Sequence, residues 1–270
     1  MPELPEVETT LRAIAPILMG NRITEIEILR PNMTLHKPDS LQAIRNQEIL
    51  TIVRRGKYLL IHFENEYTMI LHLKMSGRLG LRSRTDEPLT YERIRFHLPQ
   101  DQLLIFNDPR TLGRVYVIAT KDIEAHGPLA SMGPDALTVS ESEFLARARK
   151  KKGILKAVLL DQTFLAGIGN IYADEACFVA KIDPRRRMES LSEPDLKRLH
   201  IAIIQTLEKG VANMGTSFSD FADLFGKPGQ NQRSLFVYGR AGKKCVTCGS
   251  TLQKTTIGQR TTVWCSKCQK

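Results

Sequence analysis

The sequence predicts an α+β protein with an antiparallel β domain, a helical domain and a small cysteine-rich tail. Three observations support this prediction. Residues 22–118 hold short segments of alternating apolar and polar residues, residues 135–224 have helical patterning, and four cysteines lie near the C terminus. Short alternating segments separated by turn residues are typical of an antiparallel sandwich or barrel.

The first element is predicted to be a helix from about Glu3 to Met19. Its apolar residues recur at helical spacing, as Val7, Leu11, Ile14 and Leu18, and Gly20 follows them. Glu3 falls beside this apolar stripe, and Glu6 lies about 60° further round. We therefore expect Glu3 to be half-buried.

Pro2 and Pro5 allow two interpretations of this terminus. Proline is tolerated in the first turn of a helix, so both residues can simply start it. Removal of Met1, however, would expose a secondary amine at Pro2. An α-amino group has an ordinary pKa of about 7.7 to 8, so part of it is an unprotonated nucleophile at neutral pH.

Charge and composition indicate the class of partner. The chain has 270 residues, 42% of them hydrophobic, and a formal net charge of +10, which predicts folded domains that bind a polyanion. No segment approaches the roughly 18 apolar residues of a membrane span. We expect a cytoplasmic protein that binds nucleic acid and not a membrane. Basic clusters at 147–156 and 185–187 favour the same conclusion.

The tail carries two CxxC pairs with 16 residues between them. Its four cysteines are Cys245, Cys248, Cys265 and Cys268. This spacing lets four thiolates converge on one structural Zn²⁺. Strands are predicted at 251–256 and 261–264, so the zinc would hold a β-hairpin with Arg260 at its tip.

Two turn-forming loops each place an apolar residue among cations. Met75 lies within residues 74–78, and Leu112 follows Arg110 within residues 107–114. Such a residue either packs in the core or forms a wedge that enters a base stack. Further along, Lys156 is predicted on an amphipathic helix, and a Gly-Ile-Gly-Asn170 turn opens the next helix, whose N–H groups would face an anion.

Taken together, these motifs resemble bacterial formamidopyrimidine-DNA glycosylases from end to end. The residues that carry the resemblance are Pro2-Glu-Leu-Pro-Glu-Val-Glu-Thr9, Lys57-Tyr-Leu59, His72-Leu-Lys-Met-Ser-Gly77, Asn107-Asp-Pro-Arg110, Gly167-Ile-Gly-Asn-Ile-Tyr172, Val237-Tyr-Gly-Arg240 and the four tail cysteines. The resemblance implies a β-sandwich flanked by helices, a helix-two-turn-helix domain and a zinc-finger hairpin. The corresponding boundaries are 1–126, a linker at 127–134, 135–234 with a lesion-capping loop at 216–229, and 235–270.

The implied activity is that of a bifunctional DNA glycosylase and abasic-site lyase of base excision repair. Its substrate would be double-stranded DNA with 8-oxoguanine, a formamidopyrimidine or an abasic site, and the protein would act as a monomer in the bacterial cytoplasm. One structural Zn²⁺ is expected, with no redox or nucleotide cofactor. An N-terminal proline would form a Schiff base, and β,δ-elimination would follow.

The resemblance also implies roles for individual residues. The catalytic set would be Pro2 as nucleophile, Glu3 as proton-transfer carboxyl, Glu6 as support and Lys57. The intercalating wedge would be Met75, Arg110 and Leu112. The DNA contacts would be His72, Arg93, Lys156, Asn170, Tyr238 and Arg260.

Three positions depart from the family pattern. Leu112 replaces a usual phenylalanine, Lys74 replaces glycine, and Arg93 replaces a phosphate-contacting histidine. Two other functions stay open. One is an endonuclease VIII-like glycosylase for oxidised pyrimidines, against which Leu4 argues, and the other is a non-catalytic zinc-ribbon protein that binds damaged DNA.

Overall fold

A computed structural model of the protein describes residues 1–33, 38–125, 127–218 and 221–270. The chain divides into two compact units: unit 1 contains Met1–Ala130 and Asn213–Gln230, and unit 2 contains Ser131–Ala212 and Asn231–Lys270. The predicted domain limits remain a prediction. In the structure, residues 213–230 group with unit 1, whereas the prediction placed them in the helical domain. His126, and residues 219 and 220 of the predicted loop, lie outside the described residues.

Unit 1 contains two four-stranded antiparallel sheets, with strand orders β2-β3-β4-β8 and β1-β6-β7-β5. The strands are β1 (Glu25–Ile28), β2 (Ile49–Arg55), β3 (Tyr58–Phe63), β4 (Tyr67–His72), β5 (Arg78–Ser83), β6 (Glu92–His97), β7 (Gln102–Asn107) and β8 (Arg114–Ala119). One apolar core joins residues of both sheets, such as Ile61 and Phe96. The predicted antiparallel sandwich is confirmed, because alternating residues of each strand face this shared core.

Helix α1 (Leu4–Leu18) packs on β2 and β3. Val7, Ile14 and Leu18 are buried in the shared core, as the helical spacing predicts. The helix begins one residue later than expected because Glu3 is its N-cap. That position leaves Pro2 and Glu3 just outside the first turn.

Unit 2 contains four helices and a hairpin. They are α2 (Glu141–Ala148), α3 (Leu155–Leu160), α4 (Asn170–Val179), α5 (Glu193–Ala212), β9 (Gln253–Ile257) and β10 (Arg260–Trp264). The predicted helical region, which extended to Leu224, was too long, because α5 ends at Ala212. The backbone leaves the helical conformation at Met214 and Gly215, whose φ angles are +57° and +78°. Among the described residues, no helix is both long and apolar enough to cross a membrane.

The hairpin turn is shorter than predicted. Ile257 pairs with Arg260, and Gly258 and Gln259 between them have φ of +54° and +62°. Two central residues with positive φ form a type I′ turn, which matches the twist of the strands. Arg260 is therefore the first residue of β10, directly beside the tip.

A buried ion pair holds the hairpin to the helices of unit 2. Lys156 Nζ lies 2.6 Å from Asp174 Oδ1, and both side chains are 0% exposed. The same ammonium donates to Thr261 O at 2.7 Å, and Asp174 Oδ2 accepts from Val263 N at 3.0 Å. Burial raises the pKa of Asp174 to about 7, against the lowering effect of Lys156. Helices α3 and α4 thus both bind strand β10 through one polar cluster.

Replacement of Lys156 by methionine should destabilise unit 2, because Asp174 would keep a buried carboxyl without its cation. Removing one partner of a buried ion pair costs about 3–5 kcal/mol. Trp264, the single tryptophan of the chain, lies on β10, so urea unfolding followed by tryptophan fluorescence measures the loss. The matched control is the exposed Lys150→Met. Equal unfolding midpoints for the two variants would contradict this role of Lys156.

Candidate functional site

The N terminus of α1 forms a buried polar cluster. Pro2 is buried, and Glu3 and Glu6 are 3% and 1% exposed. Glu3 is thus more buried than the half-burial that helical spacing predicts. The two carboxylates form a capping box: the Glu3 side chain accepts from the Glu6 N–H, and Glu6 Oε2 accepts from the Glu3 N–H at 2.7 Å. This pairing satisfies N–H groups that a helix leaves open and fixes the backbone next to Pro2.

The second Glu6 oxygen binds a distant part of unit 1. Glu6 Oε1 accepts from Thr216 N at 2.7 Å. Gly215 has φ +78°, and a Cβ there would lie 2.9 Å from Glu6 Cγ. The close approach therefore requires glycine at 215. One carboxylate thus ties the chain terminus to the segment that follows α5.

Lys57 lies in the two-residue turn between β2 and β3. Its side chain is only 5% exposed, in contrast to an ordinary charged hairpin. The neighbouring cations have internal partners, since Arg54 pairs with Glu8 at 2.9 Å and Arg55 pairs with Glu124. A lysine side chain is seldom buried to this extent.

His72 is a neutral hydrogen-bond donor. Its Nδ1 accepts from Lys74 N at 2.9 Å, so the ring proton resides on Nε2. Its ring packs edge-on against Tyr58 at a centroid distance of 4.4 Å. Burial, reinforced by the Lys74 and Lys57 cations, lowers the pKa of His72 to about 3. Any contact made by His72 near neutral pH therefore uses an uncharged N–H group.

The predicted wedge residues are partly exposed and adjacent. Met75 and Leu112 are 40% and 39% exposed, although a core position was an alternative for both. Arg110 Nη1 lies 3.9 Å from Met75 Sδ. The structure therefore brings two of the three wedge side chains into contact at the surface of unit 1.

Asp108 organises both wedge loops and was missed by the sequence analysis. Its carboxylate is completely buried and accepts from Ser76 Oγ at 2.5 Å. It also accepts from the N–H groups of Arg110, Leu112 and Gly113 at 3.2, 2.8 and 2.7 Å. The Asn-Asp-Pro sequence signals such a turn, because aspartate side chains bind the N–H groups of following residues.

Arg93 supports the same loop from its outer side. Its Nε donates to Asp108 O at 2.7 Å and its Nη2 to Pro109 O at 3.2 Å. The guanidinium also lies over the Tyr91 ring, 5.5 Å from the centroid. Its predicted contact with DNA stays a prediction. The observed hydrogen bonds show that Arg93 also holds the loop that carries Arg110 and Leu112.

The predicted DNA contacts of unit 2 differ in exposure. Asn170 opens α4 after Gly169 and is half-buried, Tyr238 is half-buried, and Arg260 is exposed. The side chain of Lys156 is fully buried and paired with Asp174. Its predicted contact with the DNA backbone stays a prediction. Sequence alone could not find this partner, since Asp174 lies one helix further along the chain.

The basic clusters are largely paired within the chain. Arg149 binds Glu193 at 2.5 Å, Lys151 binds Asp161 at 2.7 Å, and Arg185 binds Asp183 at 2.6 Å. They therefore form a patch of paired charges instead of a row of open cations.

The four tail cysteines converge on one point. Their Sγ atoms all lie within 4.8 Å of one another. Two of the Sγ–Sγ distances are 3.9 Å, from Cys245 to Cys268, and 3.5 Å, from Cys248 to Cys265. Tetrahedral Zn–S bonds of about 2.3 Å place sulfur atoms about 3.8 Å apart. The residues therefore fit a zinc ion.

Cys177 is separate from this cluster. It is completely buried, and burial raises the pKa of its thiol. Such a buried thiol packs as a small hydrophobic residue of the core.

Three family profiles match consecutive parts of the chain. Residues 1–115 match the formamidopyrimidine-DNA glycosylase N-terminal domain, residues 132–222 match the formamidopyrimidine-DNA glycosylase H2TH domain, and residues 242–270 match the zinc finger found in FPG and IleRS. Together they span both units and the cysteine cluster.

Curated relatives match the chain from end to end. The formamidopyrimidine-DNA glycosylase of Pelotomaculum thermopropionicum is 39% identical over 275 residues, which cover 100% of this chain and 99% of the relative. That of Desulfitobacterium hafniense is 40% identical over 273 residues and 100% of both chains.

Solved structures with this fold contain DNA. A Lactococcus lactis FPG variant bound to Fapy-dG DNA has a TM-score of 0.92, 33% identity and full coverage of both chains. A complex of L. lactis Fpg with abasic-site DNA has a TM-score of 0.91 and 33% identity, with 99% of each chain covered.

Because its folded-state pKa lies far below the ordinary value, His72 should not titrate near neutral pH. Its Cε1–H resonance, assigned by its loss in His72→Gln, should stay constant from about pH 8 to pH 5. In the unfolded chain the His72 ring is protonated below its ordinary pKa of 6.5, whereas in the folded protein it is protonated only near pH 3. His72 therefore lowers the free energy of unfolding as the pH falls from 6.5 towards 3. A midpoint near 6.5 in the NMR titration would contradict this assignment.

Loss of the Asp108 carboxylate should loosen the wedge loop. Asp108→Ala leaves the Leu112 and Gly113 amides without their acceptor, and each unsatisfied group costs about 1–3 kcal/mol. Because the free energy of local opening sets the rate of amide hydrogen exchange, exchange at residues 110–113 should become tenfold faster or more. Asp108→Asn, which keeps one acceptor oxygen, should give a smaller effect. The control is the exposed Asp101→Asn, and equal exchange in it and Asp108→Ala would refute the proposed support.

Proposed function

The chain belongs to the formamidopyrimidine-DNA glycosylase family, and from that membership we propose that it is a bifunctional DNA glycosylase and abasic-site lyase that excises oxidised purines. Pro2 is the proposed nucleophile. The observation that carries the proposal is the buried capping box, which holds the backbone directly after Pro2 in a fixed conformation. The named relatives and the DNA lesions in the related complexes support the substrate class.

The proposed chemistry begins with attack of the Pro2 nitrogen on the sugar C1′ of the damaged nucleotide. The glycosidic bond breaks, the base departs, and an iminium cation joins protein and sugar. Because this cation withdraws electrons, the C2′ proton becomes acidic, and β- and then δ-elimination can release the two phosphates. A secondary amine suits the step, since its iminium has no N–H proton to lose and stays cationic.

The nitrogen becomes available only after Met1 is removed. Met1 is 49% exposed, whereas Pro2 is buried. The bond between them is thus at the edge of the cluster. The activity therefore depends on processing of the N terminus.

The surrounding side chains have separate proposed roles. Glu3 adjoins the nucleophile and transfers the proton during opening of the sugar ring. Glu6 is a positioning residue, because both of its oxygens are engaged by backbone N–H groups. Lys57 and the neutral N–H group of His72 would bind the phosphate beside the lesion.

Recognition of the lesion requires the base to leave the duplex, since its reacting atom is unreachable inside the stack. Met75, Arg110 and Leu112 are proposed to fill the resulting gap, on a loop base fixed by Asp108. An aliphatic Leu112 covers less of a base than the usual phenylalanine. Opposite-base preference is therefore the property in which this chain should differ from its relatives.

Unit 2 is proposed to bind the DNA backbone through Asn170, Tyr238 and Arg260, with Arg93 adding a contact from unit 1. The four cysteines would hold one structural Zn²⁺, which stabilises the hairpin that carries Arg260. Lys156 acts on DNA indirectly, because it positions β10 through Asp174 and Thr261.

Borohydride trapping on an 8-oxoguanine duplex tests the nucleophile. Protein with a verified N-terminal Pro2 should form a covalent adduct with DNA. The same protein with Met1 retained should form none, because its proline nitrogen is an amide. Pro2→Gly should excise the base at least tenfold more slowly with little change in DNA affinity, since a primary amine replaces the constrained secondary amine.

Two results would overturn the proposal. The absence of an adduct from processed protein would favour a non-catalytic DNA-binding protein. Equal losses of excision and DNA affinity in Pro2→Gly would make Pro2 structural. A parallel duplex with an oxidised pyrimidine distinguishes the endonuclease VIII-like alternative, which would cleave that duplex faster.

A further inference from the structure

Strand β6 carries a buried histidine, His97, beside the neighbouring strand β1, and one of its ring nitrogens has no hydrogen-bond partner among the described residues. The His97 side chain is 5% exposed. Its Nε2 lies 2.5 Å from Glu27 Oε1. Among the described residues, its Nδ1 has no hydrogen-bond partner although it is buried. Burial of a polar nitrogen without a partner is costly, so the position calls for an explanation.

Glu25 places a second carboxylate beside this nitrogen. Glu25 on β1 lies directly opposite His97 on β6 in the strand register. Its Oε2 is 3.9 Å from His97 Nδ1, and its side chain is 53% exposed. The open nitrogen thus points to a carboxylate that solvent can reach.

Glu27 fixes the tautomer of the ring. It accepts from Arg95 Nη1 at 2.9 Å, on the side away from the imidazole. Because a carboxylate oxygen accepts, Nε2 is the ring nitrogen that donates to Glu27, and Nδ1 is the nitrogen whose lone pair can bind a metal.

This arrangement is the one that metal-bound histidines use. A ligating imidazole almost always donates its other N–H group to a carboxylate, which orients the ring and raises its basicity. Bonds of about 2.0 to 2.1 Å from a metal to nitrogen and to oxygen span a gap of at most about 4 Å. Tetrahedral bonds of this length place the two ligand atoms about 3.3 Å apart, so the exposed Glu25 side chain would move closer from its separation of 3.9 Å when it binds the ion.

We propose that His97 Nδ1 and Glu25 bind a divalent first-row transition metal ion, with Glu27 as the orienting carboxylate. The site is distinct from the tetracysteine cluster, which belongs to unit 2. One imidazole and one carboxylate suit Zn²⁺, Co²⁺ or Ni²⁺ better than Mg²⁺ or Ca²⁺, which prefer all-oxygen ligands. Water completes the coordination, because Glu25 leaves one side open. Occupancy would tie the short edge strand β1 to β6.

Zn²⁺ itself is the probe for the test. Full-length protein whose tetracysteine site is already loaded with zinc is titrated with further Zn²⁺ by calorimetry. One additional equivalent should bind. Glu25→Gln should weaken this binding at least tenfold, and because Glu25 is exposed, this variant tests the site without disturbing the core. His97→Asn should abolish the binding.

Matched controls separate the site from general metal adsorption. Glu87→Gln removes an exposed carboxylate of unit 1, and His62→Gln removes a half-buried histidine that is hydrogen-bonded to Thr68. Both variants should bind the additional equivalent normally.

Histidine ¹H–¹⁵N spectra test the competing ion pair between a protonated His97 and Glu25. Metal binding should shift His97 Nδ1 and leave the Nε2 proton in place. A ring protonated at both nitrogens at neutral pH would overturn the proposal. So would an affinity for the additional Zn²⁺ that Glu25→Gln leaves unchanged, or no binding beyond the tetracysteine site. DNA cleavage is not a readout here, so the outcome is independent of the proposed activity.

Discussion

Unit 1 depends on one buried carboxylate at the start of its first helix. Glu6 accepts the Glu3 N–H with one oxygen and the Thr216 N–H with the other, each at 2.7 Å. A chain terminus is normally frayed, because few contacts oppose its conformational entropy. Here the hydrogen bonds and the apolar stripe of α1 oppose it together. The position of Pro2 follows from this anchoring, and every proposed step at Pro2 requires it.

Two other buried carboxylates hold irregular segments in place by the same kind of hydrogen bond to backbone N–H groups. Asp108 accepts three backbone N–H groups in the wedge loop, and Glu175 accepts those of Phe236, Val237 and Tyr238 at 2.8 Å each. A loop has no ladder partners for its N–H groups, so a buried carboxylate supplies acceptors at a defined point. Burial disfavours the charge, as the raised pKa of Glu175 indicates. Glu175 therefore determines the position of its loop more than it adds stability.

Short-range sequence patterns predicted the elements of the fold that short-range contacts determine. The α1 stripe, the alternating strands and the CxxC spacing each reflect a short-range repeat, and each was found close to its predicted place. The predicted turn at 257–260 was too long by one residue at each end, because the strand pairing extends to Ile257 and Arg260. The pair of Lys156 and Asp174 was not predicted, because the two residues lie on different helices. Asp108 was missed although its Asn-Asp-Pro sequence signals a turn, and its bond to Ser76 has no local signal. Long-range polar pairing has no periodicity that a sequence displays.

The discontinuous composition of unit 1 bears on how the protein is made. Glu6 and Thr216 are 210 residues apart in sequence, and the whole first part of unit 2 is synthesised between them. At ribosomal rates of about 5–20 residues per second, Glu6 waits roughly 10 to 40 s for its second partner. The sandwich can fold during this interval, but the N-terminal cluster cannot be complete. Removal of Met1 can therefore take place while the terminus is still loosely held on the nascent chain.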